Sequence, residues 1–89
     1  MGPALKHKLQ AQNKKVVEEF DRAKQRMYKR YERALDPNKK ASKRDLSYAE
    51  YYEWLENATE ARDAYLAGTL SEKDALKVIR EDFVNRDKM

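Results

Sequence analysis

The amino-acid sequence contains no cysteine, and only two glycines and two prolines occur among its 89 residues. Without cysteine, disulfides and thiolate metal sites are excluded. So few glycines and prolines leave little material for the tight turns of a β-rich fold. The chain is instead 40% charged and 40% hydrophobic, a composition typical of long helices. The scarcity of turn residues therefore predicts an all-α protein.

Residues that perform catalysis or bind metal are also scarce. The single histidine, His7, lies between Lys6 and Lys8, where neighbouring cations oppose metal binding. There is no glycine-rich phosphate loop and no nucleophile beside a base. Three glutamates have helical spacing but lie opposite an aromatic face, without the histidines that carboxylate-bridged metal sites use: Glu53, Glu56 and Glu60. We expect no enzyme activity, metal, cofactor or small-molecule substrate.

Long hydrophobic runs are missing as well. No stretch approaches the ~18 apolar residues of a membrane-spanning helix, and residues 1–6 lack the apolar core of a secretory signal. A basic helix lying on an anionic membrane is a third alternative, disfavoured because its apolar stripe is needed for the core. We expect a cytoplasmic protein, or a nuclear one in a eukaryote.

The charge is distributed unevenly along the chain. The formal net charge is +4, but residues 1–45 carry 14 Lys/Arg against 6 Asp/Glu, whereas residues 46–89 carry 6 against 10. Such asymmetry indicates a charged partner, or one half of the chain neutralising the other.

The first predicted helix covers about residues 4–35. Apolar side chains recur there on one stripe of a helical wheel: Leu5, Leu9, Val16, Val17, Phe20, Ala23, Met27, Tyr31, Ala34 and Leu35. Asp36-Pro37 predicts its end, because proline disfavours helical geometry in the preceding residue.

Two further helices are predicted at about residues 48–67 and 72–86, after a basic linker at 36–46. Ser47 and Ser71 each precede a carboxylate three residues on, which is the pattern of a capping box. Gly68 lies where a left-handed residue would end the second helix.

Together these patterns predict one all-α domain over residues 1–89. We expect a long N-terminal helix with two shorter helices, as a three-helix bundle or a helical hairpin with coiled-coil character. The first helix would be ~48 Å long and the second ~30 Å, so Leu5 and Leu9 would lie beyond the cover of the second helix. We expect that overhang to self-associate or to be poorly ordered.

A basic row on the first helix is the main functional signal. Its residues recur behind the apolar stripe, and linker cations continue it: Lys8, Lys15, Arg22, Arg26, Lys29 and Arg33, then Lys39, Lys40, Lys43 and Arg44. One interpretation is a track for nucleic-acid phosphates. The other is a solvated helix face whose charges pair locally.

The second helix is rich in aromatic residues, more than a thin core needs, and tyrosine and tryptophan are favoured at protein interfaces. The leading hypothesis is a non-enzymatic basic module that binds a nucleic-acid backbone or a nucleoprotein through the first helix and the linker. The alternative is a protein-binding adaptor or assembly subunit whose interface contains the overhang and part of the aromatic face: Leu5, Leu9, Tyr48, Tyr52 and Trp54.

Overall fold

The computed structural model contains three helices and describes the backbone of residues 3–84 and the side chains of residues 13–84. The helices are α1 (Pro3–Ala34), α2 (Tyr48–Leu66) and α3 (Glu72–Ile79), and each pair of helices is in contact. No strand occurs within the described part of the chain. The predicted all-α fold is confirmed, while coiled-coil packing stays a prediction.

Helix α1 buries the central part of its apolar stripe. Val16, Phe20, Ala23 and Met27 are at most 3% exposed, and their spacing of four, three and four residues keeps them on one side of the helix. The predicted stripe included Leu35, and this part of the prediction is wrong. Leu35 lies just beyond the helix end and is 64% exposed.

Helix α2 begins and ends at the predicted signals. The Ser47 hydroxyl accepts a hydrogen bond from the Glu50 N–H, and the Glu50 carboxylate accepts one from the Ser47 N–H, which completes the capping box. At the other end Gly68 has φ +82°, and the N–H groups of Gly68 and Thr69 donate to Tyr65 and Ala64. This is a Schellman motif, in which a left-handed residue satisfies the last carbonyls of a helix.

Replacing Gly68 by alanine should lower the free energy of unfolding by about 1–2 kcal/mol. No atom lies within 4 Å of an added Cβ, so the cost comes from the backbone conformation alone. Gly68→Asn is the matched control, since asparagine tolerates this conformation better and should cost less. Urea unfolding measures both variants, and equal losses for alanine and asparagine would contradict the explanation.

Helix α3 begins as predicted but ends at Ile79 rather than near residue 86. Its start is capped by the Ser71 hydroxyl, which accepts from the Asp74 N–H at 3.1 Å. After Arg80 the chain turns, and Phe83 adopts φ +58° with only 3% of its surface exposed. Burial of the Phe83 ring therefore accompanies a backbone conformation that is unusual for a bulky residue.

The core lies where the three helices meet, with Trp54 at its centre. Trp54 is 1% exposed, and its ring stacks on Phe20 at a centroid distance of 6.2 Å. Its indole N–H donates to the Ile79 carbonyl at 3.1 Å, which satisfies an acceptor at the end of α3. Trp54 was predicted to form part of a protein interface, but in this structure α3 and α1 cover it.

Candidate nucleic-acid interface

Two residues of the basic row, Lys15 and Arg22, are paired with carboxylates near α3. Lys15 Nζ is 3.6 Å from the Glu72 carboxylate, and Arg22 Nη2 is 3.3 Å from Glu19. Glu19 also accepts from Arg80, just after α3, at 3.2 Å. The acidic start and basic end of α3 thus meet complementary charges along one side of α1.

Glu19 is the centre of this pairing. Burial alone would raise the pKa of its carboxyl group, but hydrogen bonds and positive charge from Arg80 and Arg22 outweigh burial and lower that pKa below its ordinary value. The carboxylate therefore stays ionised, and Arg22 has a local partner. Of the predicted phosphate-binding residues, Arg22 pairs with Glu19, and Lys15 pairs with Glu72.

The second half of the row differs from the first. Arg26 and Lys29 are exposed, and neither has a carboxylate within ion-pair distance among residues 13–84. Arg33, the last member, is less available because its Nη1 lies 2.8 Å from Asp45 Oδ1. The charges free to meet an external anion are therefore concentrated toward the end of α1.

The basic linker is a hydrogen-bonded loop packed against α1. Asp45 Oδ2 accepts from the Ser42 N–H at 3.0 Å, while Oδ1 of the same carboxylate binds Arg33. Leu46 is fully buried, and its N–H donates to the Arg30 carbonyl at 3.4 Å. These contacts hold residues 42–46 beside the last turns of the helix.

Arg30 is a buried cation that the sequence analysis did not single out. It is 9% exposed; its Nε donates to the Arg44 carbonyl, and its Nη1 lies 3.2 Å from Met27 Sδ. Its Nη2 is buried without a hydrogen-bond partner within the described structure. Burial, together with the positive charge of Arg44, lowers the pKa of Arg30, although a guanidinium remains protonated at neutral pH. The available signal was spacing, because Arg30 follows Met27 by three residues and continues the stripe from Val16.

The exposed cations at this end of the protein form a surface that we call the basic cap. Lys29 and Lys39 line one surface cavity of about 500 Å³, whose wall also contains Glu32 and Asp36. Over residues 13–84, no side chain of the basic cap forms an ion pair. Its members are Arg26, Lys29, Lys39, Lys40, Lys43 and Arg44.

An exposed group of tyrosines lies near the end of α1 and at the start of α2. Tyr28, Tyr48 and Tyr52 are 47%, 62% and 47% exposed, and we call these three residues the tyrosine surface. The ring centroids of Tyr48 and Tyr52 are 4.5 Å apart. The ring of Tyr28 contacts that of the buried Tyr51 edge-on, with the centroids 5.8 Å apart. The electrostatic influence of Tyr52 is the main cause that raises the pKa of Tyr48, so this hydroxyl is protonated and neutral near pH 7. Of the aromatic residues of α2 that exceed what a thin core needs, Tyr48 and Tyr52 are exposed.

The structure does not describe the side chains of three predicted site residues. Lys8, Leu5 and Leu9 belong to the helical backbone of α1, but their side chains lie outside the described residues. The predicted overhang, with its self-association or poor order, therefore stays a prediction.

The described residues offer neither a metal site nor a membrane-spanning helix. They contain no group of three or more histidine, cysteine, aspartate or glutamate side chains placed to hold a metal ion. None of their helices combines the length and apolarity that crossing a membrane requires.

Comparisons with known proteins give no functional assignment. The chain matches no protein-family model, and the searches of curated proteins and of solved structures find no similar protein. The basic cap and the tyrosine surface are the features of the described residues that bear on function.

Proposed function

We propose that the protein is a non-enzymatic helical module whose basic cap binds the phosphate backbone of a nucleic acid. The observation that carries the proposal is the concentration of exposed cations without carboxylate partners, among residues 13–84, at the end of α1 and in the linker. Cations that meet a phosphate backbone release its condensed counterions, and this release drives association. The proposal agrees with a cytoplasmic or nuclear location.

The hydrogen-bonded linker favours such binding. A loop already held in place loses less conformational entropy when a ligand binds than a free loop would. Asp45 and Arg30 hold residues 42–46 against α1, so the charges of Lys43 and Arg44 are presented from an anchored segment. Phosphate contacts of this kind position a protein but carry no base sequence. We therefore expect little dependence of affinity on sequence.

A protein partner is the second candidate, and the tyrosine surface is the observation in its favour. Tyrosine is enriched at protein interfaces, because its ring is apolar and its hydroxyl group can stay hydrated. In this alternative the basic cap would mainly accelerate the encounter, since exposed charges tune association rates more than affinity. The two candidates differ in what salt does to binding.

Changing Lys39 and Lys43 together to glutamine should weaken the salt dependence of nucleic-acid binding. Each neutralised phosphate contributes about −0.9 to the slope of log K against log salt on duplex DNA, and about −0.7 on single strands. Four to six contacts then imply a total slope of roughly −3 to −5, and losing two should flatten it by ~1.4–1.8 units. Fluorescence anisotropy between ~50 and ~200 mM salt measures both slopes.

The matched control is the pair Lys73→Gln and Lys77→Gln. Both lysines are exposed on α3, and changing them lowers the net charge by the same amount as the cap variant. Because Glu72 pairs with Lys15, the start of α3 lies near the other end of the core. An equal flattening by both pairs would mean that net charge matters and the basic cap does not. Absence of any binding at ~50 mM salt would refute the proposed function.

A further inference from the structure

The tyrosine surface and the basic cap arise from the same turns of α1. Tyr28 and Tyr31 contact tyrosines of α2, with the rings of Tyr31 and Tyr51 stacked at 5.6 Å. Two residues further on, Arg33 binds Asp45 of the linker. Residues 28–33 span only about 8 Å along a helix axis. The aromatic and the cationic surfaces are therefore built at the same level along α1.

The chain connects the two surfaces a second time at the start of α2. Tyr48 is the first residue of α2 and follows Arg44 by four residues, a separation of at most about 14 Å in extended chain. Tyr48 is also the most exposed ring of the tyrosine surface, at 62%. A ligand that contacts the linker cations is thus within a few residues of an accessible aromatic face.

We infer that the ligand of the basic cap is single-stranded nucleic acid, whose unpaired bases stack on Tyr48 and Tyr52 while its phosphates contact the linker cations. This inference rests on the proposed function and adds the class of nucleic acid to it. Tyr31 and Tyr51 pack against the exposed rings. The ring centroids of Tyr48 and Tyr31 are 6.2 Å apart, and those of Tyr52 and Tyr51 are 5.4 Å apart.

A single strand fits this combination better than a duplex does. In a duplex each base is already stacked between its neighbours, so its face is not available to a protein ring. An unpaired base exposes that face, and stacking on aromatic side chains next to a positive groove is how single strands are bound without sequence preference. A duplex would use the basic cap alone and leave the tyrosine surface without a role.

Charge also favours a nucleic acid over a protein at the tyrosine surface. Lys39, Lys40 and Lys43 are exposed in the linker that leads to Tyr48, without carboxylate partners in the described range. A polyanion complements these cations and the aromatic rings together. A protein partner is therefore an outcome that the test must separate from base stacking.

The experiment compares the full chain with the double variant Tyr48→Leu, Tyr52→Leu on two labelled probes, a 20-nucleotide single-stranded DNA and its duplex. The unchanged protein should bind the single strand more tightly. The affinity of the double variant for the single strand should fall by at least about fivefold in all, and by up to about a hundredfold for each stacked base that is lost. Its duplex affinity and the salt slope per phosphate should not change.

The matched control is Tyr48→Phe, Tyr52→Phe, which keeps both rings and should retain the single-strand affinity within about twofold. Thermal melting verifies that each variant is folded, and both changed side chains are largely exposed. Equal affinity for the two probes, or an equal loss on both in the leucine variant, would overturn base stacking. In that case a salt slope that depends on Lys39 and Lys43 would still support the proposed function. If neither probe binds, both the proposed function and base stacking are refuted. If the leucine variant binds nucleic acid as the unchanged protein does, the tyrosine surface does not stack bases, and a protein partner is the alternative.

Discussion

Replacing Trp54 by alanine is expected to lower the free energy of unfolding by about 3–5 kcal/mol. The side chain is 1% exposed and stacks against Phe20, with Tyr51 at 6.5 Å on the same cluster. Alanine would leave a cavity at the point where all three helices meet, and a small domain has little stability to lose. Urea unfolding followed by far-UV circular dichroism measures the loss without depending on the tryptophan signal.

Trp54→Phe separates packing from hydrogen bonding at this position. Phenylalanine keeps most of the ring but cannot donate to the Ile79 carbonyl, which the indole N–H binds at 3.1 Å. A buried acceptor left without its donor costs about 1–3 kcal/mol, so this variant should lie between the unchanged protein and Trp54→Ala. It also keeps the test usable if the alanine variant does not fold. The control is Tyr48→Ala, at an exposed position, which should cost less than about 1 kcal/mol. Similar losses for Trp54→Ala and Tyr48→Ala would contradict the burial described.

The starts of α2 and α3 could be predicted from the sequence, because the signals for them are local. Ser47 and Ser71 each bind a backbone N–H three residues away, so a short window of sequence contains the whole interaction. Gly68 likewise needs no distant partner to favour a left-handed conformation. The end of α3 has no such signal, since it coincides with burial of Phe83 in a core that distant residues form.

The burial of Trp54 could not be predicted from α2 alone. Tyr48, Tyr52 and Trp54 share one broad aromatic face in the sequence pattern, and which part of that face is covered depends on where α3 packs. Helix α3 and Phe20 cover Trp54, whereas Tyr48 and Tyr52 lie largely exposed. The periodicity of one helix identifies candidates for burial, and the neighbouring helices decide among them.

The basic row shows the same limit for charges. Lys15, Arg22 and Lys29 recur every seven residues and Arg26 fills the same side of the helix, but pairing depends on residues far along the chain. Arg80, which binds Glu19 together with Arg22, is 61 residues from that glutamate. The structure therefore separates Lys15 and Arg22, which pair with carboxylates near α3, from Arg26 and Lys29, which form no ion pair among residues 13–84.

Replacing Arg30 by methionine is expected to loosen the linker and to lower the free energy of unfolding by about 1–3 kcal/mol. The loss arises because the Arg44 carbonyl no longer receives the Arg30 Nε–H. It is partly offset because a buried cation with one Nη group lacking a partner is removed. Arg30→Lys should be no milder, since an ammonium group lacks the planar fork that reaches the Arg44 carbonyl and Met27 together.

Limited trypsin digestion tests this role of Arg30, because the linker contains several trypsin sites, among them Lys39, Lys40 and Lys43. Cleavage in the linker should accelerate in Arg30→Met at temperatures where circular dichroism shows the helices intact. Lys24→Met, at an exposed position on the same helix, is the control and should leave the rate unchanged. If the linker stays equally protected in Arg30→Met, the Arg30 guanidinium does not hold it. If cleavage does accelerate, nucleic-acid affinity should fall as well, although every cation of the basic cap is still present. The reason is that a loosened linker must be ordered again when the phosphates bind.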